Sequence, residues 1–394
     1  MRCFKILSDF SETFILNKLR RCTKCTLPET HETIIFDDEG VCNICRQHEV
    51  KQKIDWSSRK NDLITLAEQF RGKGDYDCIV PFSGGKDSTF TLWYIVEELG
   101  LKPLVVSFDH GFYRPKNIAN NERTMRKLGV DFIKFRSDWK VVKKLMLESL
   151  VRKGDFDWHA HVGTFAYPMQ IALNFKVPLI FWGEPSSEYT AYYGYEKEEE
   201  VDERRNNRLN NLGITAEDMA GFLKNEITLR DLTPYIFPPE KELKSLGVRS
   251  VLLGSFIPWD VREHSDIIHK ELGWEWDQVE GVPPQYPYEK AEYQLQGSRD
   301  YLKFIKRGSA RTTHLTSIDI RNGRLTRQEA AEMIKQYEGK RPASLDYLLK
   351  ILDINEERWR EIAIAQSIPP YKHDFSNEEN DKPLWDMELW DWNP

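Results

Sequence analysis

The chain has 394 residues, 40% of them hydrophobic and 30% charged, enough to bury one large α/β core with additions or two smaller ones. Its net charge of -7 argues against a broad basic surface for nucleic acid, and no run approaches the ~18 apolar residues of a membrane-spanning helix. Residues 1–19 mix charges with short apolar stretches and show no signal-peptide pattern, so a cytoplasmic protein without membrane insertion is expected, its cysteines reduced rather than bridged.

In chain order, the first informative pattern is Cys22-x-x-Cys25 followed by Cys42-x-x-Cys45, with sixteen residues between the pairs. Each pair puts two thiolates on one tight knuckle, and two knuckles close a tetrahedron, which is the spacing of a structural Zn2+ site. Four thiolates leave no open position for catalysis. His31 and His48 lie nearby, but the four cysteines suffice. Residues 31–41 between the pairs read as a short hairpin, Ile34-Ile35-Phe36 and then the turn Asp37 to Gly40. Cys3 and Cys78 have no such partners. Residues 1–50 thus form an N-terminal zinc-bearing segment, and 51–71 has the pattern of a helix inside a connector that runs to 75.

Residues 76–82 are apolar and strand-like. Ser83-Gly84-Gly85-Lys86-Asp87-Ser88 follows, and then helical spacing over 87–99, with Leu92, Trp93, Ile95, Val96 and Leu99 making a wide apolar face. Strand, glycine turn and helix together hold a phosphate chain on backbone N–H groups at a helix N-terminus. The glycines permit a tight turn and close approach. Lys86 adds a point charge, and Ser83 and Ser88 add hydroxyls. The spacing is not that of the Walker P-loop.

Further strands are expected at 103–108, ending in Asp109-His110, at 130–135, at 177–182, ending in Gly183-Glu184, and at 249–254. Helices are expected at 117–128, 139–152 and 163–175. Residues 76–258 therefore read as a doubly wound, parallel, five-stranded α/β domain. A charged insertion at 185–246 is expected to cover the site. Ligands of such sheets sit outside the strand C-termini, which places the 83–88 loop, Asp109, His110 and Glu184 on one rim. His159 and His161 flank a rim helix and read as structural. Residues 259–394 read as a helical C-terminal region, with helical spacing at 301–307 and 327–337. There Arg311, His314, Arg321 and Arg324 form a basic cluster in an acidic chain, suited to a sugar carboxylate or a diphosphate, or to a solvated helix face. The acidic run 198–203 and the acidic tail from 378 read as solvated surface.

The 83–88 loop resembles the PP-loop of enzymes that split ATP into AMP and pyrophosphate. Other segments extend the likeness: Arg21-Cys22-Thr23-Lys24-Cys25-Thr26-Leu27-Pro28, Ile35 to Cys45, Trp182-Gly183-Glu184-Pro185-Ser186-Ser187-Glu188-Tyr189, Ile257-Pro258-Trp259-Asp260, and Ser317 to Arg327. In this order they make residues 20–340 resemble the N-acetyl sugar amidotransferases of bacterial lipopolysaccharide O-antigen, pseudaminic acid or legionaminic acid biosynthesis. The resemblance implies conversion of an acetamido group to acetamidino on a nucleotide-linked or nonulosonic acid sugar. The amide oxygen attacks the α-phosphate of ATP, pyrophosphate leaves, and ammonia displaces AMP.

On that resemblance Lys86, Asp87 and Glu184 are catalytic. Ser83, Gly84, Gly85, Lys86, Asp87, Ser88, Asp109 and His110 hold ATP, and Asp87 is the loop carboxylate placed for Mg2+. Arg311, His314, Arg321 and Arg324 hold substrate. Glutamine hydrolysis needs a nucleophilic cysteine with a base, and no cysteine follows Cys78. A separate glutaminase partner is therefore expected, similar to the glutaminase subunit of imidazole glycerol phosphate synthase, with a cyclase-like companion. The competing reading is a PP-loop tRNA thiolase, which also joins cysteine knuckles to this loop but needs cysteines after it.

Overall fold

The computed structural model describes residues 19–195, 200–202, 205, 211–224 and 226–377. Cys3, half of the acidic run 198–203 and the tail from 378 lie outside the described residues. Five strands form one parallel sheet: β1 Cys78–Pro81, β2 Pro103–Asp109, β3 Asp131–Arg136, β4 Leu179–Trp182 and β5 Arg249–Leu252, in the order β3-β2-β1-β4-β5. β1, β2 and β4 are buried along their whole length, as expected for parallel strands covered on both faces. Successive side chains divide between two cores. Val80, Phe181 and Val251 face one, with Leu92 and Ile95. Ile79, Ile180 and Leu252 face the other, with Met169 and Ala172.

The described helices are α1 Asn43–Lys51, α2 Trp56–Glu68, α3 Lys86–Trp93, α4 Pro115–Leu128, α5 Trp139–Lys153, α6 Trp158–Phe175, α7 Ala216–Phe222, α8 Glu240–Leu246, α9 Val261–Leu272, α10 Gln296–Arg307, α11 Arg311–Arg321, α12 Arg327–Tyr337, α13 Ser344–Leu352 and α14 Glu356–Ala365. The chain order changes direction between β1 and β4. The C-terminal ends of those two strands therefore flank the crevice where doubly wound sheets bind ligands.

Several elements differ from the sequence expectation, each for a local reason. The helix expected at 51–71 is shorter, Trp56–Glu68, because Asp55 turns its carboxylate onto the N–H groups of Ser57 and Ser58 (3.1 Å each) and caps its start, and the separate helix α1 precedes it. α3 passes into a π-helical turn, Tyr94–Glu98. The expected hairpin between the cysteine pairs is only a single bridge, Phe36 to Cys42, around a turn held by Asp37 Oδ1, which accepts from the N–H groups of Glu39 and Val41.

The largest difference is at 273–295. There the chain is irregular rather than helical, since Pro283, Pro284 and Pro287 lack the N–H that a helix needs. Trp274, Tyr286 and Tyr288 from this stretch pack into the same core as β1 and α3. The described parts of the charged insertion pack mostly beside α6, where Ile214 and Met219 join Trp158 and Tyr235. Among the described residues no helix is long and apolar enough to cross a membrane.

Candidate active site

The 83–88 loop is a compact turn at the end of β1. Ser88 Oγ accepts from the N–H groups of Ser83 (3.2 Å) and Gly84 (3.1 Å), which folds the loop back on the first turn of α3. Trp274 Nε1 donates to Gly84 O (3.1 Å), and Asn117 Nδ2 donates to Ser83 O (3.2 Å). Gly84 has φ +81°, and a Cβ there would lie 1.9 Å from Asn121 Oδ1. Gly85 has an ordinary φ of -69°, but its Cβ would lie 2.9 Å from the Glu292 carboxylate. Gly84 is thus required by both close approach and backbone, whereas a side chain at Gly85 would meet only the movable end of Glu292. The N–H groups of the first turn of α3 have no carbonyl partner within the helix, which suits this end of the helix to an anion.

Lys86 is buried between two carboxylates, 2.8 Å from Asp87 Oδ2 and 2.8 Å from Glu289 Oε2. Burial opposes its charge, but the two carboxylates outweigh that and hold its ammonium well above the usual lysine range. Glu289 in turn lies 3.1 Å from Arg311, which also meets Asp300 at 3.3 Å. Burial pushes the Glu289 carboxyl up, but Lys86, Arg311 and Lys290 bring it to about 2. Glu184, at the end of β4, behaves oppositely: burial and then the Asp87 carboxylate raise it to about 7. Its approach is close because Gly183 runs against α3, where a Cβ would meet Thr91 Oγ1 at 3.1 Å.

Two chambers open on this group. The first, of about 270 Å³, lies over the loop, with Phe165 and Trp182 stacked in its wall (ring centroids 4.6 Å apart) and His110 and His161 beside them. The second, of about 200 Å³, lies between the cysteine-rich segment and the C-terminal helices. His31, Glu32, Tyr189, Lys303, Arg311 and His314 line it. Lys86, Asp87, Glu184, Lys290 and Arg299 belong to both and form the wall between them.

Asp87 Oδ1 is buried and, among the described residues, has no hydrogen-bond partner. That orphaned oxygen beside a raised Glu184 carboxyl fits the magnesium implied by the resemblance, since a hard cation takes carboxylate oxygens. Gln296, also in the first chamber, is fully buried, and among the described residues neither of its amide atoms is bonded.

The loop residues and Glu184 therefore come together, with Arg311 and His314 across the dividing wall. His110 lines the first chamber, and burial lowers its imidazole to about 3, so it is neutral there. Asp109 does not reach that chamber: it is paired with Lys134 (2.9 Å) and Arg136 (2.6 Å) and accepts from Gly111 N–H. Arg321 and Arg324 are not brought in either. Arg321 donates to Ser317 Oγ and Glu188 O, and Arg324 is paired with Asp260 and Asp319. His159 is buried beneath His110 O, outside both chambers.

Asp155, Asp157 and His161 converge as a metal site would, but Arg299 already occupies that corner, 3.2 Å from Asp157 and 2.6 Å from His161 Nε2. The residues missed from sequence are Glu289, Lys290, Glu292, Arg299 and Lys303. A usable signal was present in the charges Glu289, Lys290 and Glu292, which interrupt an aromatic, proline-rich stretch.

The four cysteines of the knuckles are buried, with Sγ atoms 3.9 Å (Cys22–Cys45) and 3.8 Å (Cys25–Cys42) apart. A tetrahedron with metal–sulfur bonds of about 2.3 Å has edges of about 3.8 Å, so the set can hold a zinc-sized ion. The N–H groups of Cys42 and Cys45 point at Cys22 Sγ and Cys42 Sγ. The segment is tied to the second chamber: Arg307 pairs with Glu32 at 2.9 Å and donates to Thr30 O at 2.7 Å. Cys78 is fully buried in β1 and lines neither chamber.

Residues 285–389 match the family described as LPS biosynthesis protein WbpG-like, C-terminal domain. That stretch of the chain is similar to this family. That region contributes Glu289, Lys290, Arg299, Lys303, Arg311 and His314 to the chambers, so the WbpG-like part supplies most of the second chamber's charge. The chain is also 24% identical over 137 residues to an uncharacterised protein of Methanocaldococcus jannaschii, covering 34% of this chain and 48% of that one. It thus spans about half the length of that curated relative.

Among solved structures, NMN synthetase from Francisella tularensis aligns at 11% identity with a TM-score of 0.38, covering 72% of this chain and 93% of the other. The U34-tRNA thiolase NcsA from Methanococcus maripaludis, solved with a [4Fe-4S] cluster, aligns at 11% identity with a TM-score of 0.31, covering 91% of this chain and 100% of the other. The sheet order, the turn after β1 and the crevice between β1 and β4 are those of a doubly wound parallel α/β fold.

Proposed function

We propose that the chain is an ATP-dependent amidotransferase of lipopolysaccharide biosynthesis that converts a sugar acetamido group to acetamidino. The observation that carries this reading is the pair of chambers meeting at Lys86, Asp87, Glu184, Lys290 and Arg299, one over an anion cradle and the other lined by the WbpG-like region. An enzyme that joins two substrates through an adenylated intermediate needs this arrangement, because the α-phosphate and the acceptor must meet at a shared wall.

ATP would lie in the first chamber with its phosphates on the N–H groups of α3. The acceptor amide oxygen enters from the second and attacks the α-phosphorus, and the bond to the β-phosphate breaks. The loop N–H groups and Lys86 meet the charge that builds on pyrophosphate. Asp87, with Glu184 opposite, would hold magnesium, which when bound neutralises phosphate charge. Ammonia then attacks the imidate carbon, the C–O bond breaks so that AMP leaves with the former amide oxygen, and Glu184 takes the proton shed by nitrogen. The four-cysteine centre would hold zinc and keep His31 and Glu32 against α10.

Ammonia is proposed to come from a separate glutaminase, with a cyclase-like companion, since neither chamber holds a thiol among its described lining residues. Incubation of the purified chain with ATP, magnesium, ammonium and a panel of acetamido sugars should give AMP, pyrophosphate and a sugar lighter by the difference between O and NH in mass spectrometry. Pyrophosphate release stimulated by tRNA, with no sugar product, would overturn the reading.

A further inference from the structure

In the second chamber most cations already have anions. Lys86 is held by Asp87 and Glu289, Arg311 by Glu289 and Asp300, and Arg299 by Asp157, while Lys290 lies 3.8 Å from Glu292. Lys303 differs. It lines the chamber from α10, yet among the described residues it makes no hydrogen bond and no ion pair. Glu32, the carboxylate whose field acts on it most, is paired with Arg307 instead. Beside it, His314 packs on Tyr189 (ring centroids 5.1 Å apart) and lines the same chamber.

We infer that Lys303, with His314 beside it, is an anion subsite for the acceptor, and that it selects substrates carrying a negative charge next to the reacting amide. This inference rests on the proposed amidotransferase reading for the identity of its ligand. It moves the anion-holding role from Arg311, which is neutralised by two carboxylates, to a residue the sequence did not single out. Burial, with Arg311 and Arg307 nearby, lowers the Lys303 ammonium below its usual range, a cost that an incoming anion removes. Burial also keeps His314 neutral, well below its usual range, so it serves as a hydrogen-bond partner rather than a second cation.

The helix sets the distance. Lys303 is one turn from Arg299, which sits in the wall where the amide would react, and four residues of helix span about 6 Å. One sugar ring covers that separation. A ring carboxylate is therefore one source of the anion, and the phosphate of a nucleotide-linked sugar is the other.

The test is titration calorimetry on the full chain with a non-hydrolysable ATP analogue and magnesium. The probes are N-acetylneuraminate, its methyl ester and UDP-N-acetylglucosamine. Wild type is expected to prefer an anion-bearing probe to the ester by about tenfold, the worth of roughly 1.4 kcal/mol. Lys303→Met should erase that preference, and Lys303→Arg should restore part of it. Affinity for the ATP analogue should be unchanged in both, which reports an intact fold. Loss confined to N-acetylneuraminate assigns a ring carboxylate, and loss confined to the UDP-sugar assigns a phosphate.

If Lys303→Met binds every probe as wild type does, or if wild type binds none of them at millimolar concentration, the subsite is overturned. Product analysis keeps the two readings apart. Lys303-dependent binding without any AMP formation would sink the amidotransferase and leave the subsite. AMP formation with an unchanged KM in Lys303→Met would do the reverse.

Discussion

Gly84 and Gly85 look alike in the sequence, but their surroundings differ. Gly84 is held at φ +81° against Asn121, whereas Gly85 has a φ open to any residue and meets only the end of the Glu292 side chain. Gly84→Ala should therefore abolish nucleotide binding and remain defective when combined with Asn121→Ala, because relieving the clash leaves the backbone strain. Gly85→Ala should be milder and should recover when Glu292→Ala is added. Nucleotide titration of the four variants checks this.

Lys86 is the second sharp case. Lys86→Met leaves Asp87 and Glu289 without their shared cation, and removal of one partner from a buried pair costs about 3 kcal/mol. Denaturant unfolding should show that loss, and pyrophosphate release should fall by about two to three orders of magnitude. The loop was legible from sequence because its signal is local. The partner Glu289 was not, since it lies some two hundred positions later on an irregular stretch.

At the level of elements, the cysteine-rich segment acts through a contact that its spacing did not reveal. Arg307 of α10 holds Thr30 and Glu32, which places His31 and Glu32 against the second chamber while the loop chamber is built by other elements. Removing the proposed zinc with a chelator should weaken acceptor binding by at least about tenfold and change nucleotide affinity far less. Paired titrations before and after chelation, with metal add-back, read the difference. Equal loss of both would show that the segment supports the whole fold instead.

The stretch at 273–295 teaches the complementary lesson. It reads as helical in the sequence, although Pro283, Pro284 and Pro287 break a helix and leave the path irregular. Only the packing of Trp274 and Tyr286 into the sheet core explains why such a path is held firmly enough to carry Glu289 and Lys290 to the loop.

Across the whole molecule, the sheet core continues into the C-terminal region, which contributes to the walls of both chambers, while the cysteine-rich segment reaches only the second. The same compactness buries histidines. His110 is lowered by burial to about 3, and His159, His161 and His264, each also by burial, to about 4. Their folded pKa values lie below the unfolded value near 6.5, so the unfolded chain binds more protons between about pH 4 and 6.5. Stability contributed by these neutral rings is present above pH 6.5 and is lost as pH falls, by up to about 1.4 kcal/mol per unit for each ring once the unfolded form is protonated. The thermal midpoint should drop steeply from pH 7 to pH 5. His264→Phe, which keeps the stack on Phe90, should make that drop shallower.

Local chemistry was enough for the sequence to determine the cysteine knuckles, the phosphate-type loop and the alternation of strands and helices, because each depends on residues a few positions apart. Tertiary structure alone decided which charges share a wall. Arg321 and Arg324 found partners elsewhere, Arg311 was neutralised by Glu289 and Asp300, and Lys303 was left facing the chamber without one among the described residues. Ion pairing joins residues distant in the chain, so a list of basic positions cannot say which cation remains for a ligand until the packing is known.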